Sequence, residues 1–223
     1  MSIRLAKEAI KKADAICFDV DSTVITEEGI NVLATSLGVG DAVSKLTASA
    51  MGGTTLFQDA LKERLDLIKP SIKNLENIQK KHPLQFTPRL EELIEILHKK
   101  RKNIYLVSGG FRQMINPIAL QLGIPNSNIY ANNLFFNEYG EYNGFDINEL
   151  TSKDGGKAQV IQELIEKYDY KCVVMIGDGV TDMQARPPAK AFIGYGGIIE
   201  REKVKDGADW FIKDFNEILS IFI

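Results

Sequence analysis

The chain has 223 residues, 44% of them hydrophobic, and 27 lysines and arginines against 30 aspartates and glutamates leave a formal charge of −3. That length supports one sizeable core with room for a small second domain, and the charge balance gives no basic footprint for nucleic acid. No apolar run approaches the roughly 18 residues of a membrane-spanning helix, and the two cysteines, Cys17 and Cys172, sit in apolar strand-like runs that suit reduced thiols better than a disulfide framework.

The N-terminal "MSIRLAKEAIKKADA" reads as a short amphipathic helix without the apolar region and cleavage site of a signal peptide, so a cytoplasmic protein is expected. "AICFDVD" (15–21) follows as a strand. Residues 25–85 hold helical segments such as "EGINVLATSLG" and "TLFQDALKERLDLI", and no convincing strand. In "TPRLEELIEILHKK", Thr87 is a candidate N-cap and Pro88 the first helical residue, with Leu90, Leu93, Ile94 and Leu97 on one face. A second strand, "NIYLVSGG" (103–110), comes next, and "NLFFNEYGEYNGF" (133–145) reads as a β-hairpin turning at Tyr139-Gly140. "KAQVIQELIEKY" repeats the amphipathic pattern before a third strand, "CVVMIGDG" (172–179). Apolar strands alternating with amphipathic helices predict a doubly wound α/β fold around a mostly parallel sheet. The helical stretch is expected as a small cap inserted after the first strand, with residues 1–24 and 86–223 forming the core and 25–85 the cap.

The charged strand ends carry the chemistry. Asp19 and Asp21 would point to one side if the first strand runs through them, and two carboxylates that close repel unless a cation compensates. Open α/β sheets gather ligands at the carboxyl ends of their strands. The same edge would receive Ser108-Gly109-Gly110 and Gly177-Asp178-Gly179, with Asp182 one turn later and Lys157 at the start of a helix. Taken singly, each has an ordinary role: a turn, a helix cap, a surface lysine. Four such segments in this order are hard to reconcile with structure alone. His82 and His98 have no nearby ligand set and read as surface residues, and "GYGG" (194–197) lacks the spacing of a dinucleotide fingerprint.

"DVDST", "VSGG", the lysine of "GGK" and "GDGVTD" resemble the four motifs of the haloacid dehalogenase superfamily of phosphatases. Within it, "FDVDSTVITEEGI", "AMGGTTLFQDALKERL" and "LVSGGF" are very similar to the phosphoserine phosphatase family. The resemblance covers nearly the whole chain. It implies hydrolysis of O-phospho-L-serine, with Asp19 as nucleophile, Asp21 as proton donor and acceptor, and Mg²⁺ held by Asp19, the main-chain carbonyl of Asp21 and Asp178. Lys157 would bridge phosphate and nucleophile, Ser108, Gly109 and Gly110 would hold phosphate oxygens, and Asp182 would stand behind the metal or Lys157. Thr181 and Thr23 would add hydrogen bonds. For the rest of the substrate, the family pattern assigns Glu28 to the ammonium and Arg64 to the carboxylate, with Met51, Gly52 and Phe57 lining the cap side and Arg201 near the phosphate end. Transfer to another hydroxyl, another small phosphorylated amino acid or alcohol as substrate, and a non-enzymatic phospho-receiver module stay open as alternatives, the last disfavoured by the cap and by Asp21. No partner protein, nucleic acid or membrane is implied, and a homodimer stays open.

Overall fold

In the computed structural model, which describes residues 2–52 and 56–222 (main chain only for 48–52), the first helix, α1 (Ile3–Lys12), leads into a short strand, β1 (Ala15–Phe18). Four helices follow: α2 (Gly29–Ser36), α3 (Gly40–Gly52), α4 (Phe57–Ile68) and α5 (Ile72–Lys81). The chain then alternates through α6 (Leu90–Lys99), β2 (Asn103–Phe111), α7 (Arg112–Gln121) and β3 (Ile129–Asn132). A hairpin, β4 (Leu134–Phe136) with β5 (Tyr142–Phe145), precedes α8 (Gly156–Tyr168), β6 (Val173–Gly177), α9 (Val180–Met183), β7 (Ala191–Tyr195), α10 (Glu202–Gly207) and β8 (Trp210–Ile212).

Six strands form one sheet in the order β3-β2-β1-β6-β7-β8, every neighbouring pair parallel. The chain winds outward from β1 in one direction and then, from β6, in the other. The reversal opens a crevice beyond the carboxyl ends of β1 and β6, where sheets of this topology bind ligands. Alternate residues sort to the two faces. Ile16, Phe18, Leu106, Ile176 and Ile193 pack with α1, α6 and α7, whereas Cys17, Tyr105, Val107, Met175 and Phe192 pack with α8. Strands covered on both sides need apolar residues at nearly every position, which is why their runs are so uniform. Cys17 and Cys172 are free thiols, the first buried and the second half-buried.

The helices α2 to α5 build a third apolar cluster from Leu33, Val43, Leu61, Leu65, Ile68 and Leu75, joined by Phe111 and Leu134. The hairpin lies beneath it, and its Gly140 (φ 77°) accepts the main-chain amide of Ile72 at 2.9 Å. The chain enters and leaves this segment side by side. Ile25 and Phe86 form an antiparallel bridge, Thr26 donates to the carbonyl of Gln85 and Thr87 to that of Val24, each at 3.0 Å. Among the described residues no helix is long and apolar enough to cross a membrane.

Two local expectations are corrected. Thr87 does not cap α6, which starts at Leu90 after Arg89 in the left-handed region (φ 69°) with no side-chain cap. The main chain of Thr87 is committed to the crossing with Val24, and its buried hydroxyl has no partner among the described residues. The first strand stops at Phe18 instead of running to Asp21, because the chain turns at 21–24 with Ser22 at φ 54°.

Leu93 is fully buried between α6 and the sheet. Leu93→Ala is expected to lower stability by about 2–5 kcal/mol, read as a lower urea midpoint with an unchanged denaturant slope.

Candidate active site

Asp19 is the first residue past β1, and its amide still donates to the carbonyl of Ile176 in β6 at 2.9 Å, which pins it at the crevice. Its Oδ1 accepts the amide of Val20 (2.8 Å) and the ammonium of Lys157 (2.9 Å). Lys157 reaches the crevice from the first turn of α8 and donates to Asp182 Oδ1 at 2.6 Å, with only 7% of the residue exposed. Burial works against its charge, but the carboxylates of Asp182 and Asp19 outweigh it and hold its pKa above the usual lysine range. The second oxygen of Asp182 accepts the amide of Gly179 at 2.9 Å, so both of its oxygens are committed.

Asp21 lies two residues past Asp19, at the start of the turn. Its Oδ1 accepts the amide of Gly29, the first residue of α2, at 2.6 Å. Burial, then the charges of Glu28 and Asp19, push its pKa up to about 8 despite that bond, so at neutral pH this carboxyl can keep its proton. The end of β2 completes the floor. Ser108 is fully buried and its Oγ accepts the amide of Gly110 at 3.0 Å. A Cβ on Gly110 would stand 2.9 Å from Asp21 Oδ2 and 3.2 Å from Ser108 Oγ, so a larger residue would press on both side chains.

Asp178, just past β6, accepts Arg201 Nη2 at 2.9 Å and Nε at 3.2 Å on Oδ2, and the Thr23 hydroxyl at 3.4 Å on Oδ1. Burial and the charge of Asp19 raise its pKa to about 6, against the pull of Arg201. Arg201 also reaches Glu28 at 3.5 Å, and Glu28 accepts the Ser22 hydroxyl at 3.0 Å. One carboxylate oxygen from each of Asp19, Asp178 and Asp182 lies within 4.8 Å of the others, all three residues being buried. This set is a candidate cradle for a divalent cation. It consists of hard oxygens carrying more negative charge than one lysine and one half-buried arginine neutralise, and it fits such an ion. All three carboxylates also serve donors of the protein itself: Asp182 those of Lys157 and Gly179, Asp19 those of Lys157 and Val20, and Asp178 those of Arg201 and Thr23.

Arg64 sits half-buried on α4 and donates through Nε to the Ala60 carbonyl (3.0 Å). Burial lowers its pKa, and the Glu28 carboxylate opposes that shift. The Phe57 ring lies against Gly109. Thr181 lies in α9, and its side chain forms no hydrogen bond with another described residue. Met51 and Gly52 end α3, and their side chains lie outside the described residues. His82 and His98 are exposed, the first paired with Glu27 at 2.7 Å and the second bonded to the Leu122 carbonyl.

Sequence reading passed over one residue at this edge. Asn132 closes β3, is fully buried, donates to the Gly109 carbonyl at 2.8 Å and accepts the Thr151 hydroxyl at 2.9 Å. An asparagine ending an apolar run beside Ser108 was the available signal, obscured because that run is only four residues long.

The haloacid dehalogenase-like hydrolase family model matches residues 13–189. Phosphoserine phosphatase of Bos taurus is 51% identical over 207 residues, 93% of this chain and 92% of that protein. Among solved structures, a phospho-aspartyl intermediate analogue of phosphoserine phosphatase superposes with a TM-score of 0.81 at 29% identity, covering 94% of this chain and 98% of that one. DsGPDH of Dunaliella salina superposes at 0.86 with 30% identity over 99% of this chain, which spans 38% of the longer protein. The chain therefore belongs to the haloacid dehalogenase-like hydrolases and, within them, to the phosphoserine phosphatase family.

Proposed function

We propose that this protein is a Mg²⁺-dependent phosphatase that hydrolyses O-phospho-L-serine to L-serine and phosphate through an aspartyl-phosphate on Asp19. The observation that carries the reading is the Lys157 ammonium seated on Asp19 (2.9 Å) at the edge where Asp21, Ser108 and Asp178 also meet. The kinship to phosphoserine phosphatases over nearly the whole chain supports the substrate.

A phosphate monoester is close to a dianion at neutral pH, so a carboxylate can attack it only where positive charge is already in place. Mg²⁺ bound by the Asp19 and Asp178 carboxylates and the Asp21 main-chain carbonyl would supply most of that charge. Lys157 adds a fixed point charge beside the attacking oxygen and, bonded to Asp182, does not have to reorganise during the step. The Ser108 hydroxyl and the Gly109 amide bind phosphate oxygens, and the Gly110 amide joins them by exchanging its bond to Ser108 Oγ for one to phosphate. Asp19 Oδ attacks phosphorus, the bond to the serine oxygen breaks, and the proton on Asp21 passes to that oxygen. In the second half, Asp21 takes a proton from water as the water oxygen attacks phosphorus, and Asp19 leaves as a free carboxylate.

Selectivity lies on α2 and α4. Glu28, at the start of α2, receives the substrate ammonium, and the planar fork of Arg64 receives the carboxylate. Phe57 covers the phosphate loop. Residues 25–85 act as a cap on this reading, entering and leaving through the paired crossing at Ile25 and Phe86. The product completes serine biosynthesis, and a cytoplasmic location suits that role.

The decisive experiment is phosphate release with Mg²⁺ over a panel of O-phospho-L-serine, O-phospho-L-threonine, phosphoethanolamine and glycerol phosphate. O-phospho-L-serine is expected to have the highest kcat/KM, and a clear preference for another member would overturn the substrate assignment. Asp19→Asn is expected to cut turnover by several orders of magnitude with an unchanged circular dichroism spectrum; substantial residual release would exclude nucleophilic catalysis by this residue. EDTA is expected to silence the enzyme and Mg²⁺ to restore it, whereas activity that survives chelation would remove the metal from the scheme. Arg64→Ala is expected to lower kcat/KM for O-phospho-L-serine by about 10–100-fold, with a much smaller effect on phosphoethanolamine, which has no carboxylate. Equal losses on the two would exclude a carboxylate clamp.

A further inference from the structure

Helix α4 starts without a capping side chain of its own. Its N-cap residue is Leu56, which has no side-chain acceptor for the open amides of the first turn. An acceptor comes instead from 97 residues away, where Asp154 Oδ2 takes the amide of Phe57 at 3.0 Å. A carboxylate at a helix N-terminus meets both the unpaired amides and the positive end of the helix dipole. Asp154 is exposed, and its role is not to fill a core.

The placement of this bond gives it consequence. Phe57 is the residue whose ring lies on the phosphate loop: a Cβ on Gly109 would stand 2.9 Å from Phe57 Cζ and 3.4 Å from Cε2. Gly109 is itself held from the other side by Asn132. Arg64 lies seven residues after Phe57 and so shares its face of α4. The helix that presents Arg64 is thus seated on the loop by its first residue. Asp154 also belongs to the turn that leads into α8, three residues ahead of Lys157, whose ammonium rests on Asp19. One turn therefore bonds to α4 at Asp154 and delivers the buried charge at Lys157.

We propose that Asp154 is a specificity-positioning residue, a latch that seats the start of α4 on the Ser108-Gly109-Gly110 loop and so sets the distance from Arg64 to the phosphate site. The inference rests on the function proposed above for its substrate, though the latch itself is a contact between two parts of the chain. Asp154 touches no reacting atom and acts through Phe57 and Arg64. Its loss leaves Asp19, Asp21 and Lys157 in place, so it weakens retention of a substrate that must span both ends of the site.

The test compares Asp154→Ala and Asp154→Asn with the wild-type chain, measuring kcat and KM for O-phospho-L-serine and amide hydrogen exchange across residues 57–68. Asp154→Ala is expected to raise KM about fivefold, the size of a lost helix cap, with kcat within about twofold, and to speed exchange at the start of α4. Asp154→Asn keeps an oxygen acceptor and is expected to restore most of KM and of the protection. An unchanged KM in Asp154→Ala, or an Asn variant as impaired as the Ala variant, would overturn the latch. If the wild-type chain does not hydrolyse O-phospho-L-serine, the substrate assignment falls. Exchange at residues 57–68 then still decides whether Asp154 seats α4, and exchange identical in wild type and Asp154→Ala would refute it.

Discussion

One buried ammonium holds the strand ends together. Lys157 lies between Asp19 and Asp182 at 2.9 and 2.6 Å, at the edge where Asp21 and Asp178 also converge. Acidic groups drawn into a low-dielectric crevice repel one another strongly, and a cation placed among them is worth more there than in water. Taking one partner from a buried ion pair typically costs about 3–5 kcal/mol because the other is left uncompensated. Burial, and after it the neighbouring carboxylates, raise the pKa values of Asp21 and Asp178. A site built in this way is stable enough to fold, yet it retains attraction for a further cation and for an anion brought in with it.

The sheet explains how such a cluster is assembled from distant parts of the chain. Asp19, Ser108 and Asp178 each stand at the carboxyl end of a parallel strand, β1, β2 and β6, which lie side by side in the order β2-β1-β6. Parallel strands bring all their carboxyl ends to one edge, so residues far apart in sequence meet without any long loop having to find its way. Arg201 joins the cluster from the start of α10, pairing with Asp178 and lying 3.5 Å from Glu28, 173 residues away in sequence.

Much of this arrangement was legible before any coordinates. β1, β2 and β6 announce themselves because a strand covered on both faces needs apolar residues throughout, and the aspartates and glycines that interrupt those runs mark the functional edge. The hairpin at Leu134–Phe145 was equally readable from alternating aromatic residues about Tyr139-Gly140. β3, β7 and β8 were not read as strands, being short runs with no recognisable motif at their ends, and Asn132 was missed with the first of them. Thr87 was misread because a threonine before a proline carries a local capping signal, while its backbone is engaged by Val24, 63 residues earlier, which no local pattern encodes. The docking of Arg201 on Asp178 and of Asp154 on Phe57 was invisible for the same reason. Both are contacts between elements whose meeting depends on the completed fold.

The paired crossing at Ile25 and Phe86 turns everything between them into a closed excursion whose two ends are neighbours. The chain leaves the sheet for four helices and returns to the point it left. The helices hung on that crossing are nonetheless tied to the strand ends, by Gly29 on Asp21 and by Arg201 on Glu28, so a change in one part is felt in the other.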